Sequence, residues 1–187
     1  NLSNILAAVA AATFFEIPQE AIRQGIARMS GVPGRMERIE NNRGILVFVD
    51  YAHTGDALGQ VLAMLRKTGA RRIITVFGCG GDRDRTKRPV MGSVAAQHSA
   101  VVILTSDNPR SEDPHRIISE IEPGVLQHAF TRVAADKAAP DQERLYLVQP
   151  DRRTAIRTGI GLARAGDVVL IAGKGHETYQ VFADHTI

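Results

Sequence analysis

Residues 101–110 read VVILTSDNPR, four apolar residues with no alternation followed by a polar turn that ends on an arginine. A strand with one face in water alternates polar and apolar side chains, so a run that is apolar at every position predicts a strand covered on both faces, as in a parallel sheet between helices. Working outward, the pattern recurs at Ile45 to Val49, Arg72 to Phe77, Leu145 to Val148 and Val168 to Ala172. Helical stretches lie between these runs: Thr54 to Lys67, Arg88 to Gln97, Pro114 to about Ile121, and Arg152 to Ala165, with a polar stretch at Ala138 to Arg144.

The alternation predicts an α/β fold with a Rossmann-like open, mainly parallel sheet and helices on both faces. Two short helices precede it, an Ala-rich one at residues 2 to 14 and a second opened by Pro18-Gln19-Glu20 and running toward Met29. Gly31-Val32-Pro33-Gly34 breaks the helical pattern, so the domain boundary is expected near residue 34, with residues 1–34 as a remnant and 35–187 as the main domain. The chain opens on Asn1 and closes on Thr186-Ile187 just past an apparent strand, and reads as an excised piece of a longer protein.

With 187 residues, 44% of them hydrophobic, the chain can bury one full core and a fragment of a second. The apolar runs are strand-length, far below the roughly 20 residues that a membrane span needs, so no membrane segment is expected. A single cysteine, Cys79, excludes an internal disulfide framework, and the absence of a basic-then-apolar leader makes a reducing cytoplasm the expected home. Of the 23 basic residues 19 are arginine, whose planar fork binds carboxylates and phosphates in a bidentate way; arginine-heavy codon usage would give the same bias. These charges are scattered among acidic residues without interleaved aromatics, so nucleic acid is not an expected partner.

In open α/β sheets ligands gather beyond the carboxyl ends of the strands, and four unusual turns fall there. Phe77-Gly78-Cys79-Gly80-Gly81-Asp82-Arg83-Asp84 lets backbone amides approach an anion, although by itself it reads first as a tight connection. A dinucleotide fingerprint would need its third glycine where Arg83 stands, and no G-x-x-x-x-G-K-[ST] phosphate loop is present, because Gly175 follows Lys174. Cys79 reads as a small turn residue rather than a nucleophile. Asp107-Asn108-Pro109-Arg110 is an ordinary turn composition that nevertheless projects an obligate cation beside a side chain able to donate and accept, a pair suited to an amino-acid head group. In Gly173-Lys174-Gly175-His176-Glu177 the carboxylate can hold an ammonium, while one His and one Glu are too few for a zinc site. Asp50-Tyr51-Ala52-His53-Thr54 leaves a strand at a helix N-terminus, a place suited to anions, although by itself it reads first as structure, with Thr54 a plain cap.

Taken in order, GRMER (34–38), VDYAHT (49–54), FGCGGDRD (77–84) with KRPVMG (87–92), TSDNPR (105–110) and AGKGHETYQ (172–180) resemble the Mur ligases, in particular the branch that adds diaminopimelate, over nearly the whole chain. The resemblance implies the last domain of a three-domain ATP-dependent, amide-forming enzyme of peptidoglycan synthesis, with residues 1–34 as the tail of its central domain. It implies that ATP, assisted by Mg2+, phosphorylates the D-glutamate carboxylate of UDP-N-acetylmuramoyl-L-Ala-D-Glu, and that the amine of meso-diaminopimelate attacks the acyl phosphate. Carried over by position, Arg88, Asp107, Asn108, Arg110, Gly173 and Glu177 would bind diaminopimelate. Arg35, Asp50 and His53 would meet ATP on domain closure, with His53, Lys174 and His176 as closure contacts. The phosphate loop, the main magnesium ligands and the sugar site would lie outside this chain, so a monomeric fragment inactive by itself is expected.

Diaminopimelate differs from lysine by one added carboxylate, and a guanidinium left unpaired in a buried site costs about 1 to 3 kcal/mol, so Arg110 would discriminate by roughly tenfold to several hundredfold. Lysine-adding relatives depart from the DNPR pattern. One departure lies in this chain: Gly55 stands where the family usually has proline. The alternatives are a non-catalytic nucleotide- or anion-binding module, a lysine-adding relative, and a relative that adds glutamate to folate.

Overall fold

The computed structural model describes residues 2–187. Its contacts divide the chain into two compact units, one ending at Val32 and one running from Pro33 to Ile187. The first unit is a pair of helices, α1 (Leu2–Phe14) and α2 (Gln19–Arg28), neither of which buries a residue. Leu2, Leu6, Phe14 and Phe15 are all more than half exposed.

In the second unit seven strands form one sheet in the order β1-β2-β7-β3-β4-β6-β5. The strands are β1 (Glu37–Ile39), β2 (Leu46–Asp50), β3 (Ile73–Phe77), β4 (Val101–Leu104), β5 (Thr131–Arg132), β6 (Leu145–Val148) and β7 (Val168–Ala172). All neighbours are parallel except β1, which runs antiparallel to β2. Helices α3 (Gly55–Arg66), α4 (Lys87–His98) and α5 (Pro114–Leu126) pack on one face and α6 (Arg152–Leu162) on the other.

Strand residues divide between the faces with the two-residue period of a pleated sheet. Ile73 and Phe77 of β3, Val102 and Leu104 of β4, and Val168 and Leu170 of β7 join Leu58, Leu62, Met91 and Ile121 in one core. Ile74, Val76, Val101, Ile103, Val169 and Ile171 join Ala155 and Leu162 in the other. The expectation of a doubly covered parallel sheet therefore holds residue by residue.

Helix α5 departs from expectation by continuing to Leu126, through Pro123, rather than stopping near Ile121. Proline cannot donate to the preceding turn, but Ile121, Gly124 and Val125 are buried against α4, and that burial outweighs the lost bond. The contact has no slack: a Cβ built on Gly124 would lie 1.8 Å from the Pro89 carbonyl oxygen, and one on Gly92 would lie 2.4 Å from that of Ile121. The short edge strands β1 and β5 carry no apolar run and were not expected.

At the amino ends of the strands, arginines bond carbonyls at or just past helix C-termini. Arg43 donates to the Ile160 carbonyl at 2.9 Å and Arg66 to that of His98 at 3.0 Å. Arg144 reaches the His128 carbonyl at 3.3 Å, and Arg72 the Leu162 carbonyl at 3.2 Å. Part of the arginine excess is thus structural, and it sits on the edge of the sheet away from the four unusual turns.

Candidate functional site

Helix α6 returns the chain across the sheet, so β7 enters between β2 and β3 and the turn after it lands among the turns after β2, β3 and β4. The turns then interlock. The Gly173 amide donates to the Asp50 carbonyl at 3.1 Å, and with φ at +109° a Cβ there would lie 2.7 Å from Asp107 Oδ2. Gly78 lies so close to the turn after β4 that a Cβ would sit 2.1 Å from the Thr105 carbonyl oxygen.

Asn108 is the centre of the arrangement. It is 5% exposed; its Nδ2 donates to Glu177 Oε2 at 2.9 Å, and its Oδ1 accepts from Lys174 Nζ at 2.8 Å and from the Val181 amide at 3.0 Å. Lys174 Nζ also donates to Glu177 Oε2 at 3.0 Å. Burial would push the Glu177 carboxyl up, but the bonds from Lys174 and Asn108, with the nearby Lys174 and His176 charges, bring it below the usual carboxylate value, so it is ionised at neutral pH. Both of these bonds go to Oε2, leaving Oε1 without a partner among the described residues. Asp107 is likewise half used: Oδ1 accepts the Asn108 amide at 2.8 Å, and Oδ2 accepts no hydrogen bond among the described residues.

Arg110 holds a left-handed backbone, φ +52°, with its amide bonded to the Val181 carbonyl at 3.0 Å. Its Nη1 donates to the carbonyls of Gly81 at 2.8 Å and Asn108 at 3.3 Å, while Nη2 and Nε have no bond among the described residues. The turns around Asn108 therefore offer unclaimed carboxylate oxygens from Asp107 and Glu177 and, on Arg110, an open guanidinium edge. These are the complements of an ammonium and a carboxylate on one carbon.

Arg88, expected among the diaminopimelate contacts, is paired within the protein. Its side chain is fully buried, with Nη1 donating to Glu112 at 2.9 Å and Glu120 at 2.7 Å, and Nη2 to Glu112 at 2.7 Å and the Gly80 carbonyl at 3.3 Å. Only Nε is left, and it is buried without a partner. Direct contact with a substrate carboxylate would require one of these carboxylates to be displaced, so in this arrangement Arg88 anchors the glycine turn. The Arg88 guanidinium beside Glu112 holds that carboxyl well below the usual range, at about 2. Burial pushes the Cys79 thiol up to about 12, which keeps it protonated, as suits a turn residue.

A second cluster lies over the ends of β2 and β7. The Tyr51 ring has the Arg35 guanidinium 4.5 Å from its centroid, His53 edge-on at 4.8 Å and His176 stacked at 5.9 Å. Arg35 and both histidines are exposed, so this cationic and aromatic face is open to a ligand or another domain. Asp50 is not: it is buried, with Oδ1 accepting the Ala52 amide and Oδ2 the Met36 amide, both at 2.8 Å. It ties the GRMER turn to β2 instead of facing outward. Lys174, expected among the closure contacts, is 6% exposed and committed to Asn108 and Glu177. Thr54 caps α3 through the Ala57 amide at 3.2 Å, and a Cβ on Gly55 would lie 2.8 Å from a Val90 methyl.

Sequence reading missed Glu112, Glu120, Gln180 and Arg152. Gln180 Nε2 donates to the Asp107 carbonyl at 2.6 Å, and Arg152, 7% exposed, donates to the Ala172 carbonyl at 2.8 Å and that of Ser106 at 3.4 Å, joining the ends of β7 and β4 beneath the pocket. On a helix with Arg153 and Arg157 nothing marked Arg152 as the buried one, except that it opens α6 directly after the Asp151 cap. Among the described residues no three of His, Cys, Asp and Glu converge to hold a metal ion, and no helix is long and apolar enough to cross a membrane.

Residues 34–175 match the family described as Mur ligase, glutamate ligase domain. A UDP-N-acetylmuramoyl-L-alanyl-D-glutamate–2,6-diaminopimelate ligase of Solibacter usitatus is 50% identical over 187 residues, all of this chain and 35% of that protein. The ligase of the same name from Geobacter metallireducens is 51% identical over 182 residues, 97% of this chain and 36% of that protein. A solved structure of a ligase of that name superposes with a TM-score of 0.67 at 40% identity, covering all of this chain and 35% of that one. A bifunctional folylpolyglutamate synthase/dihydrofolate synthase from Yersinia pestis also reaches a TM-score of 0.67, over 94% of this chain and 37% of its own, but at 21% identity it shares the fold alone. The chain spans about a third of the length of the curated relatives it matches.

Proposed function

Because the chain belongs to the Mur ligase family, through its glutamate ligase domain, we propose that it is the amino-acid-delivering part of an ATP-dependent ligase that joins meso-diaminopimelate to UDP-N-acetylmuramoyl-L-Ala-D-Glu. The observation that carries the reading is the open guanidinium edge of Arg110 in the same turn as Asn108 and the unclaimed oxygen of Asp107, with a second unclaimed oxygen on the Glu177 carboxylate that Asn108 holds. In this reading Arg110 takes the distal carboxylate of the diamino acid, and Glu177 and Asp107 take the ammonium on the same carbon. The other amine is left for attack on an acyl phosphate, forming the C–N bond and releasing phosphate. Arg88, through Glu112 and Gly80, holds the turn against which Arg110 is braced.

Arg35, His53 and His176 around Tyr51 form the face proposed to meet ATP, the cation drawn to phosphate and the rings to the base. Magnesium would be held chiefly by residues outside this chain, where it would neutralise the phosphates of ATP. Residues 1–34 are proposed as the tail of a neighbouring domain. Their support is α1, whose exposed Leu2, Leu6 and Phe14 call for a covering surface that these residues do not supply.

The test is amide formation by the full-length parent protein supplied with ATP, the UDP-sugar dipeptide and either meso-diaminopimelate or L-lysine. Product with diaminopimelate at a kcat/KM at least roughly tenfold above that with lysine is expected, and equal use of the two would reject the assignment.

A further inference from the structure

We propose that Lys174 is a positioning residue, whose buried ammonium pins Glu177 Oε2 and Asn108 Oδ1 so that Glu177 Oε1 and the Asn108 turn receive the incoming amino acid in one fixed arrangement. The inference rests on the head-group reading above and goes beyond it by naming what holds that pocket in shape.

Burying a lysine is costly unless its charge is paired. Here Nζ is paired with one carboxylate and one amide oxygen, at 3.0 and 2.8 Å, and lies 5.4 Å from the Tyr179 ring centroid. Glycines with positive φ flank it, Gly173 at +109° and Gly175 at +53°, so the backbone bends sharply on both sides of this one inward-turned side chain.

Lys174, Asn108 and Glu177 form a closed ring of three hydrogen bonds: Nζ to Oδ1, Nδ2 to Oε2, and Nζ to Oε2. The ring fixes two things that a ligand would otherwise have to fix for itself. An amide can turn over and exchange its oxygen for its nitrogen, and the ammonium, a pure donor, joins the Val181 amide in keeping the Asn108 oxygen on their side and the nitrogen toward Glu177. A carboxylate can rotate about its last bond, and two donors on Oε2 hold it so that Oε1 is the open acceptor. Both effects lower the ordering cost of binding. The charged groups that act on Glu177 are Lys174 and His176 in its own turn and Arg152 beneath it; Asp107 stands at the adjoining turn.

The test uses the full-length enzyme with Lys174→Met, which keeps the stem and removes the charge, and Lys174→Arg, which keeps the charge. The expected result for Lys174→Met is a KM for diaminopimelate raised by about tenfold or more, with the KM for ATP unchanged. Without the ammonium, the burial that raises the Glu177 carboxyl loses its chief counterweight, so this KM climbs further as pH falls relative to wild type. Lys174→Arg restores most of the pH independence. If Lys174→Met does not fold, Lys174→Gln replaces it in the same measurements. A diaminopimelate KM that does not change, or one that rises together with the KM for ATP and no pH trend, overturns the inference while wild type still uses diaminopimelate. A wild-type enzyme that fails to use diaminopimelate overturns the head-group reading, and this inference with it.

Discussion

Arg110→Ala in the full-length protein is expected to raise the KM for diaminopimelate by roughly tenfold to several hundredfold while leaving that for ATP unchanged. The size follows from what the guanidinium is free to do. Nη1 is braced on the Gly81 and Asn108 carbonyls, so the fork is held by the protein on one edge, and Nη2 and Nε remain for a bidentate carboxylate. Left-handed backbone at residue 110 is maintained by the amide bond to the Val181 carbonyl, and alanine bears the same strain there as arginine. The substitution therefore removes the fork without releasing the turn. Selectivity against lysine should fall with it, because lysine lacks the carboxylate that the fork is proposed to recognise. Steady-state kinetics with both amino acids check this, and an unchanged diaminopimelate KM removes Arg110 from the site.

Asp167→Ala should give the largest loss of stability, about 3 to 5 kcal/mol, or a fall of roughly 10 °C in the melting transition of this domain. Asp167 is fully buried immediately before β7, where its carboxylate accepts three bonds from Arg72, the closest at 2.6 Å, one from Arg71 at 3.2 Å and one from the Arg164 amide at 2.9 Å. Removing it leaves the Arg72 guanidinium, 3% exposed, with only the carbonyls of Gln142 and Leu162. Burial alone would raise the Asp167 carboxyl, but the bonds from Arg72, the Arg164 amide and Arg71 depress it below its ordinary value. A carboxyl depressed on folding stabilises the native state above its unfolded pKa of about 3.9 and loses that contribution as pH falls through the lower, folded value. The difference between wild type and Asp167→Ala should thus be full at neutral pH and shrink below about pH 4. Differential scanning calorimetry across pH measures it, and a shift of under about 1 kcal/mol at pH 7 would show that the buried pair is not a keystone of this edge.

The sheet was legible because its strands are apolar at every position, a pattern that few other environments produce. Residues 101–104 and 168–172 announced two covered faces, and both faces are there. The course of α5 past Pro123 was not legible, since it depends on Gly92 and Gly124 letting two helices approach, a fact about pairs of residues some thirty positions apart. The site divided along the same line. Asn108, Arg110 and Glu177 stand in turns whose composition and place after strands marked them, and the fold brings them together.

Arg88, Asp50 and Lys174 carry equally suggestive chemistry, yet their partners are inside the protein: Glu112 and Glu120, the Met36 and Ala52 amides, and Asn108 with Glu177. No spacing rule separates a buried ion from an exposed one when the partner comes from another element.

The most direct measurement is a crystal structure of the full-length protein with meso-diaminopimelate bound. One carboxylate of the ligand should lie within about 3 Å of Arg110 Nη2 and Nε, with the ammonium on the same carbon against Glu177 Oε1. A ligand seated elsewhere, with the Arg110 fork empty and Glu177 Oε1 still in water, would contradict the account.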